Sequence, residues 1–136
     1  MEQYSFEKLI AYQKARKLVA DVYHLIAKLT QSERFALCDQ LRRSIISVPS
    51  NIAEDSGRIS VKEKMHFIEI AYGSLMESYC QIQLAQDLGN LTEEDILSIK
   101  EQFADCSKLI SGLKKFHTNA KRINSTHNHH RHHSTH

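Results

Sequence analysis

Across 136 residues the chain carries four Gly and one Pro, where average usage would give about 16 of the two together. Sandwiches, barrels and doubly wound sheets need many tight turns, and those turns draw on Gly and Pro. A chain so poor in both has little choice but long helices. At this length a single domain hides roughly two-thirds of its unfolded surface, so it can bury a core of its own.

Four helical segments are legible. The first runs from about Phe6 to Leu29, with Ala15, Leu18, Val19, Val22, Ile26 and Leu29 on one face at three- and four-residue steps. The second starts after Ser32, an expected N-cap, and carries Cys38, Leu41, Ile45, Val48 and Ile52. It is expected to stop at Gly57 in a left-handed conformation. The third opens on Ser60-Val61-Lys62-Glu63, a capping box, and repeats apolar residues at Val61, Met65, Ile68, Tyr72, Leu75, Tyr79 and Ile82 before Gly89. The fourth begins at Thr92-Glu93-Glu94-Asp95 and carries Ile96, Ile99, Phe103, Cys106, Ile110 and Leu113. Short connections place consecutive helices antiparallel. The expected fold is therefore all-α, an antiparallel up-down four-helix bundle over residues 1–122. Pro49 falls where the apolar stripe keeps phase from Ile45 through Val48 to Ile52. The reading is a kink in helix two and not a break.

After Arg122 the apolar pattern stops, and six of the last ten residues are His with no apolar residue among them. This predicts a disordered tail, in which imidazoles lack the fixed geometry of a metal site. No apolar run is long enough to cross a membrane, and the N-terminus lacks a signal-peptide layout. Cys38, Cys80 and Cys106 form no CxxC pair and read as reduced, partly buried thiols of a cytoplasmic protein.

Enzyme and cofactor motifs are missing: there is no Walker A run, nucleophile elbow, HExxH or GxGxxG. Glu63 and His66 match Glu-x-x-His, half of a di-metal bundle motif, but that site needs a second copy. His24 and His117 read as edge or surface histidines. The expectation is no catalytic residue, no metal and no cofactor.

Charge is more informative by segment than in total. The net charge is +2, yet Phe6–Leu29 holds five bases against two acids, residues 60–105 three against nine, and 106–136 six against none. Helix dipoles account for the acids at 93–95 and for bases near the chain's end. They do not account for Lys14, Arg16 and Lys17 in mid-helix. With Lys114, Lys115, Lys121 and Arg122 these form a candidate phosphate-binding surface. A second set, Arg43, Ser47, Asn51, Glu54, Phe67, Ile70, Ser74 and Glu77, lies off the core stripes of helices two and three. It mixes apolar, small and polar residues as a solvent face would not need to. The small residues Ala71, Gly73, Ser74 and Ser78 would let another backbone come close, which points to cover by other subunits.

The runs Glu33-Arg34-Phe35-Ala36-Leu37, Gln40-Leu41-Arg42-Arg43-Ser44 and Ser47-Val48-Pro49-Ser50-Asn51-Ile52-Ala53-Glu54 resemble a known family. So do Gly57-Arg58, Phe67, Ile70-Ala71, Gly73-Ser74-Leu75 and Glu77. The chain resembles the four-helix-bundle proteins of 23S rRNA intervening sequences across about residues 6 to 118. The sequence departs from that pattern at Asp55, where Gly normally follows the Glu. The resemblance implies a bacterial protein that assembles as a ring, typically a homopentamer, without established catalysis. It also implies that Arg43, Asn51, Glu54, Ser74 and Glu77 form a hydrogen-bonded network between helices or subunits. The functional expectation is a non-enzymatic ring that binds structured RNA or a nucleoprotein partner. The alternative is a protein-binding scaffold with no nucleic-acid role.

Overall fold

The computed structural model describes residues 5–29 and 35–134, with backbone only at 35 and 124–134. A 3₁₀ turn over Ser5–Lys8 leads into α1 (Ile10–Ala27), followed by α2 (Phe35–Ser56), α3 (Val61–Asp87) and α4 (Glu93–Ser134). Successive helices pack on one another and α1 closes against α4, which is the up-down four-helix bundle. No described helix is long and apolar enough to cross a membrane. The expected cap at Ser32 lies outside the described residues.

The ends of the helices follow from local chemistry. At α3 the Glu63 amide donates to Ser60 Oγ at 3.3 Å, one arm of the expected box. At α4 both arms form: the Thr92 amide donates to Asp95 Oδ2 (2.9 Å) and the Asp95 amide to Thr92 Oγ1 (3.1 Å). Gly89 closes α3 with φ of 79°. The Asn90 amide reaches back to the Ala85 carbonyl and the Gly89 amide to that of Gln86, both at 2.9 Å, the bond pair of a Schellman ending. Gly57 differs from expectation. Its φ is not positive, and α2 ends instead on tight bonds from Gly57 to Glu54 and from Arg58 to Asp55.

Helix α2 continues unbroken through Pro49, which is buried within it. Just around the proline, Ser50 Oγ donates to the Ile46 carbonyl at 2.9 Å and Asn51 Nδ2 to the Ser47 carbonyl at 2.7 Å. At the other end of the chain, α4 keeps helical backbone to Ser134, where a disordered tail is expected from 123. No Gly or Pro follows Gly112, so nothing in that segment terminates a helix.

The core joins the stripes of all four helices: fully buried Leu18, Val22, Ile45, Ile52, Ile68 and Leu75 lie at its centre. On α3 the buried face is rotated from the expected heptad. Tyr72 is exposed and Val61 and Met65 are only half-buried, while Ala71, Ser74, Ser78 and Ala85 turn inward. The small residues do admit a close backbone, but it is α2 of the same chain, the most extensive helix pairing in the molecule. Subunit contact is not what that seam is for. Gly73 faces open space.

Buried Cys38 packs in the core with its thiol 3.8 Å from the Leu29 carbonyl. Burial, reinforced by the Asp105 charge, pushes the Cys106 thiol up to about 11, which keeps it protonated and inert. Cys80 is exposed on α3, contrary to the expectation of partial burial.

Candidate nucleic-acid interface

All seven candidate cations are exposed, but they do not form one surface. Lys14 and Lys17 stand one turn apart on the side of α1 that meets α4, where Lys14 lies close enough to act on the Cys106 thiol. Arg16 stands on the other side, facing α2. Lys114 bends toward α3 and pairs with Glu69 at 3.5 Å, beside a cleft of about 250 Å³ lined by Ile68, Tyr72 and Ile110. Lys121, seven residues on, shares the Lys114 face, while Lys115 and Arg122 share the outward face. The Lys14–Lys17 side is therefore continuous with α4, and Arg16 belongs to a different groove.

That groove lies between α1 and α2 and encloses about 400 Å³. Phe6, Tyr12 and Arg16 form one wall; Ile46, Pro49 and Ala53 form the other. Phe6 and Tyr12 meet edge to face at 4.9 Å between ring centres, and the Arg16 guanidinium sits 5.8 Å over the Tyr12 ring. Helical spacing carries both walls further: Tyr23 follows Tyr12 and Arg16 on the same face of α1, and Arg42 precedes Ile46 on α2. An aromatic platform is the feature that charge counting misses. Its signal in the sequence is the Tyr12/Arg16 spacing of four residues.

The polar set on α2 and α3 divides in two. Ser47, Asn51 and Ser74 belong to a seam between these helices within the chain. Ser74 Oγ donates to Ser47 Oγ at 2.8 Å, and Asn51 Nδ2 donates to the same oxygen at 2.9 Å. Deeper in the seam, buried Ser44 lies 2.8 Å from both Gln81 Oε1 and Ser78 Oγ. Each hydroxyl has one proton, so Ser78 shares its own between Ser44 and the Ser74 carbonyl, also at 2.8 Å. Glu77 reaches the seam through Gln81 Nε2 at 3.3 Å.

Arg43 and Glu54 stay outside it. Arg43 pairs with Asp39 at 2.9 Å and Glu54 with Arg58 at 2.7 Å, with side chains between 42% and 76% exposed. Such pairs add little stability. Phe67 is half-buried beneath the Arg58 guanidinium, 4.7 Å from its ring centre. Ile70 is 37% exposed. It recurs with Glu77 and Leu84 at seven-residue steps on the shoulder of α3.

Contrary to expectation, His117 is not at the surface: its side chain is 8% exposed and its Nε2 lies 2.9 Å from Oδ1 of Asp55, itself 4% exposed. Neither atom has a further hydrogen-bond partner. The pair links the end of α2 to α4. Burial raises the Asp55 carboxyl above its ordinary range, against the opposing pull of His117 and of Lys64 on α3. At the far end of the bundle, Lys28 of α1 meets Asp95 of α4 at 2.7 Å. That bond, with those from Thr92, holds the Asp95 carboxyl down to about 2. Midway, Gln102 donates to Asp21 at 2.7 Å. Glu63 and His66 are both exposed at the start of α3, and no group of three or more potential metal ligands converges among the described residues.

Comparison with known proteins fits this architecture. A crystal structure of a protein of unknown function from the S23 ribosomal protein family of Bacteroides thetaiotaomicron VPI-5482 superposes with a TM-score of 0.72 at 21% identity. The match covers 78% of this chain and 99% of that one, and it establishes a shared fold. No curated protein matches the sequence. The family model of the 23S rRNA-intervening sequence protein matches residues 7–112, from the 3₁₀ turn to the middle of α4. The bundle thus belongs to the 23S rRNA-intervening sequence protein family.

Proposed function

We propose that this protein is a non-enzymatic, cytoplasmic bundle that assembles as a homopentameric ring and binds structured RNA or a nucleoprotein partner. The observation that carries the reading is the exposure of all seven cations on α1 and late α4, only Lys114 of which has an ion-pair partner among the described residues. A ring repeats the Lys14–Lys17 side once per subunit, which multiplies phosphate contacts without adding to any one subunit. Ile70 and Leu84, exposed at 37% and 47% on the α3 shoulder, supply apolar area for contact between subunits.

Reversal of Lys14, Lys17, Lys114 and Lys115 to Glu tests it by fluorescence anisotropy on a folded RNA over a range of salt. The expected result is weaker binding, with the slope of log K against log salt reduced by about one for each phosphate that the protein no longer neutralises. Absence of binding to RNA and DNA by the wild-type protein, at any salt, overturns the reading and leaves the protein-binding scaffold. A native mass that corresponds to one chain removes the ring.

A further inference from the structure

We propose that the α1–α2 groove is a stacking site for an unpaired nucleobase, with the adjoining phosphate held by Arg16 and Arg42. The inference rests on the nucleic-acid reading above and gives it a second, differently built contact.

Three observations converge here. The first is the Arg16 guanidinium, 5.8 Å over the Tyr12 ring, which Phe6 braces edge to face at 4.9 Å. Arg16 is exposed, so its guanidinium is open to a flat ring. Stacking on aromatic and guanidinium planes is how proteins hold single-stranded bases of any identity. The second is the opposite wall. Ile46 is 44% exposed beside buried Pro49, an apolar surface against which a base sheds water. The third is charge. Among the described residues no ion pair engages Arg16 or Arg42, whereas Arg43 and Arg58, toward the α3 side of α2, are each paired with an acid. Arg16 in the groove wall and Arg42, one helical turn beyond Ile46, complement a phosphodiester. A second copy of the chain presenting the same groove would bring those cations face to face, which disfavours a self-complementary contact.

The test uses the full chain with labelled oligoadenylate and, in parallel, an abasic ribose-phosphate oligomer of equal length. Arg16→Ala and Arg16→Lys are compared with wild type by anisotropy. Lys keeps the charge and loses the plane, so a stacking role weakens oligoadenylate binding about tenfold in both variants and leaves abasic binding to the Lys variant unchanged. Arg16 is exposed, and an unchanged thermal midpoint shows that both variants are folded. Equal loss on the abasic oligomer with Arg16→Lys, or no loss on oligoadenylate, overturns the proposal. If wild type binds RNA and only the Lys14/Lys17 reversal weakens it, the groove fails and the function above stands. If wild type binds neither oligomer nor folded RNA, both fall. A change in native mass with Arg16→Ala makes the groove a subunit interface and also overturns the assignment.

Discussion

His117→Ala is expected to lower the unfolding free energy by about 3–5 kcal/mol, the usual cost of leaving one partner of a buried pair alone. Asp55 Oδ1 and His117 Nε2 meet at 2.9 Å with side chains 4% and 8% exposed, and neither atom has a further hydrogen-bond partner. The stranded Asp55 can take up a proton, which limits the cost at acid pH. Urea unfolding near neutral pH measures the effect. Asp55→Leu combined with His117→Leu should recover most of the loss, since an apolar pair of similar volume avoids the desolvation penalty. A single variant within about 1 kcal/mol of wild type, where exposed ion pairs fall, would show that the pair contributes little.

The same pair sets a pH dependence. The folded-state pKa of Asp55 is raised above 3.8, with burial as the largest cause. A group so shifted contributes stability below its unfolded pKa and loses it as pH rises through the folded value. Asp55→Asn cannot titrate. Wild type should therefore lose ground to Asp55→Asn as pH is raised from below 3.8 through the folded pKa. Wild type gaining on the variant over that interval would mean that attraction to His117 and Lys64 outweighs burial.

Ser78→Leu carries the second large effect. Ser78 is fully buried where α2 and α3 approach, and it is bonded at 2.8 Å to Ser44 and to the Ser74 carbonyl. Overpacking alone costs about 1–3 kcal/mol, and loss of the seam bonds adds about 1 kcal/mol or more. Ser78→Ala, which keeps the volume small, should cost only the hydrogen-bond part. If the two variants unfold at the same denaturant concentration, close packing of the seam is not what Ser78 provides.

The architecture was legible because apolar spacing is a property of each helix by itself. Leu18, Ile45 and Ile110 could be assigned to the core without knowing what they face. Residues whose role depends on a partner could not. Ser74 and Ser78 signal only that something comes close; that it is α2, and not another subunit, is decided by the rotation of α3. His117 lacks a local partner, and Asp55, 62 positions earlier, looks like an irregular helix end until α4 lies beside it. Lys14, Arg16 and Lys17 are adjacent in the sequence yet separate to two sides of α1, since neighbours along a helix point 100° apart. The Tyr12–Arg16 contact could have been found by testing aromatic and basic residues at four-residue spacing.

The path of the chain also imposes an order of assembly. α2 and α3 are joined by a short turn and fastened by the buried hydroxyls of Ser44, Ser74 and Ser78, so their meeting costs little loop entropy. α1 and α4 lie far apart along the chain, with two helices between them, and are tied by Lys28–Asp95 and Asp21–Gln102 near solvent. The hairpin of α2 and α3 is thus the natural nucleus, and closure of α1 on α4 the late event. Changes in the hydroxyl seam then fall on the rate of folding, and changes along the Ala15–Leu18 stripe on the rate of unfolding.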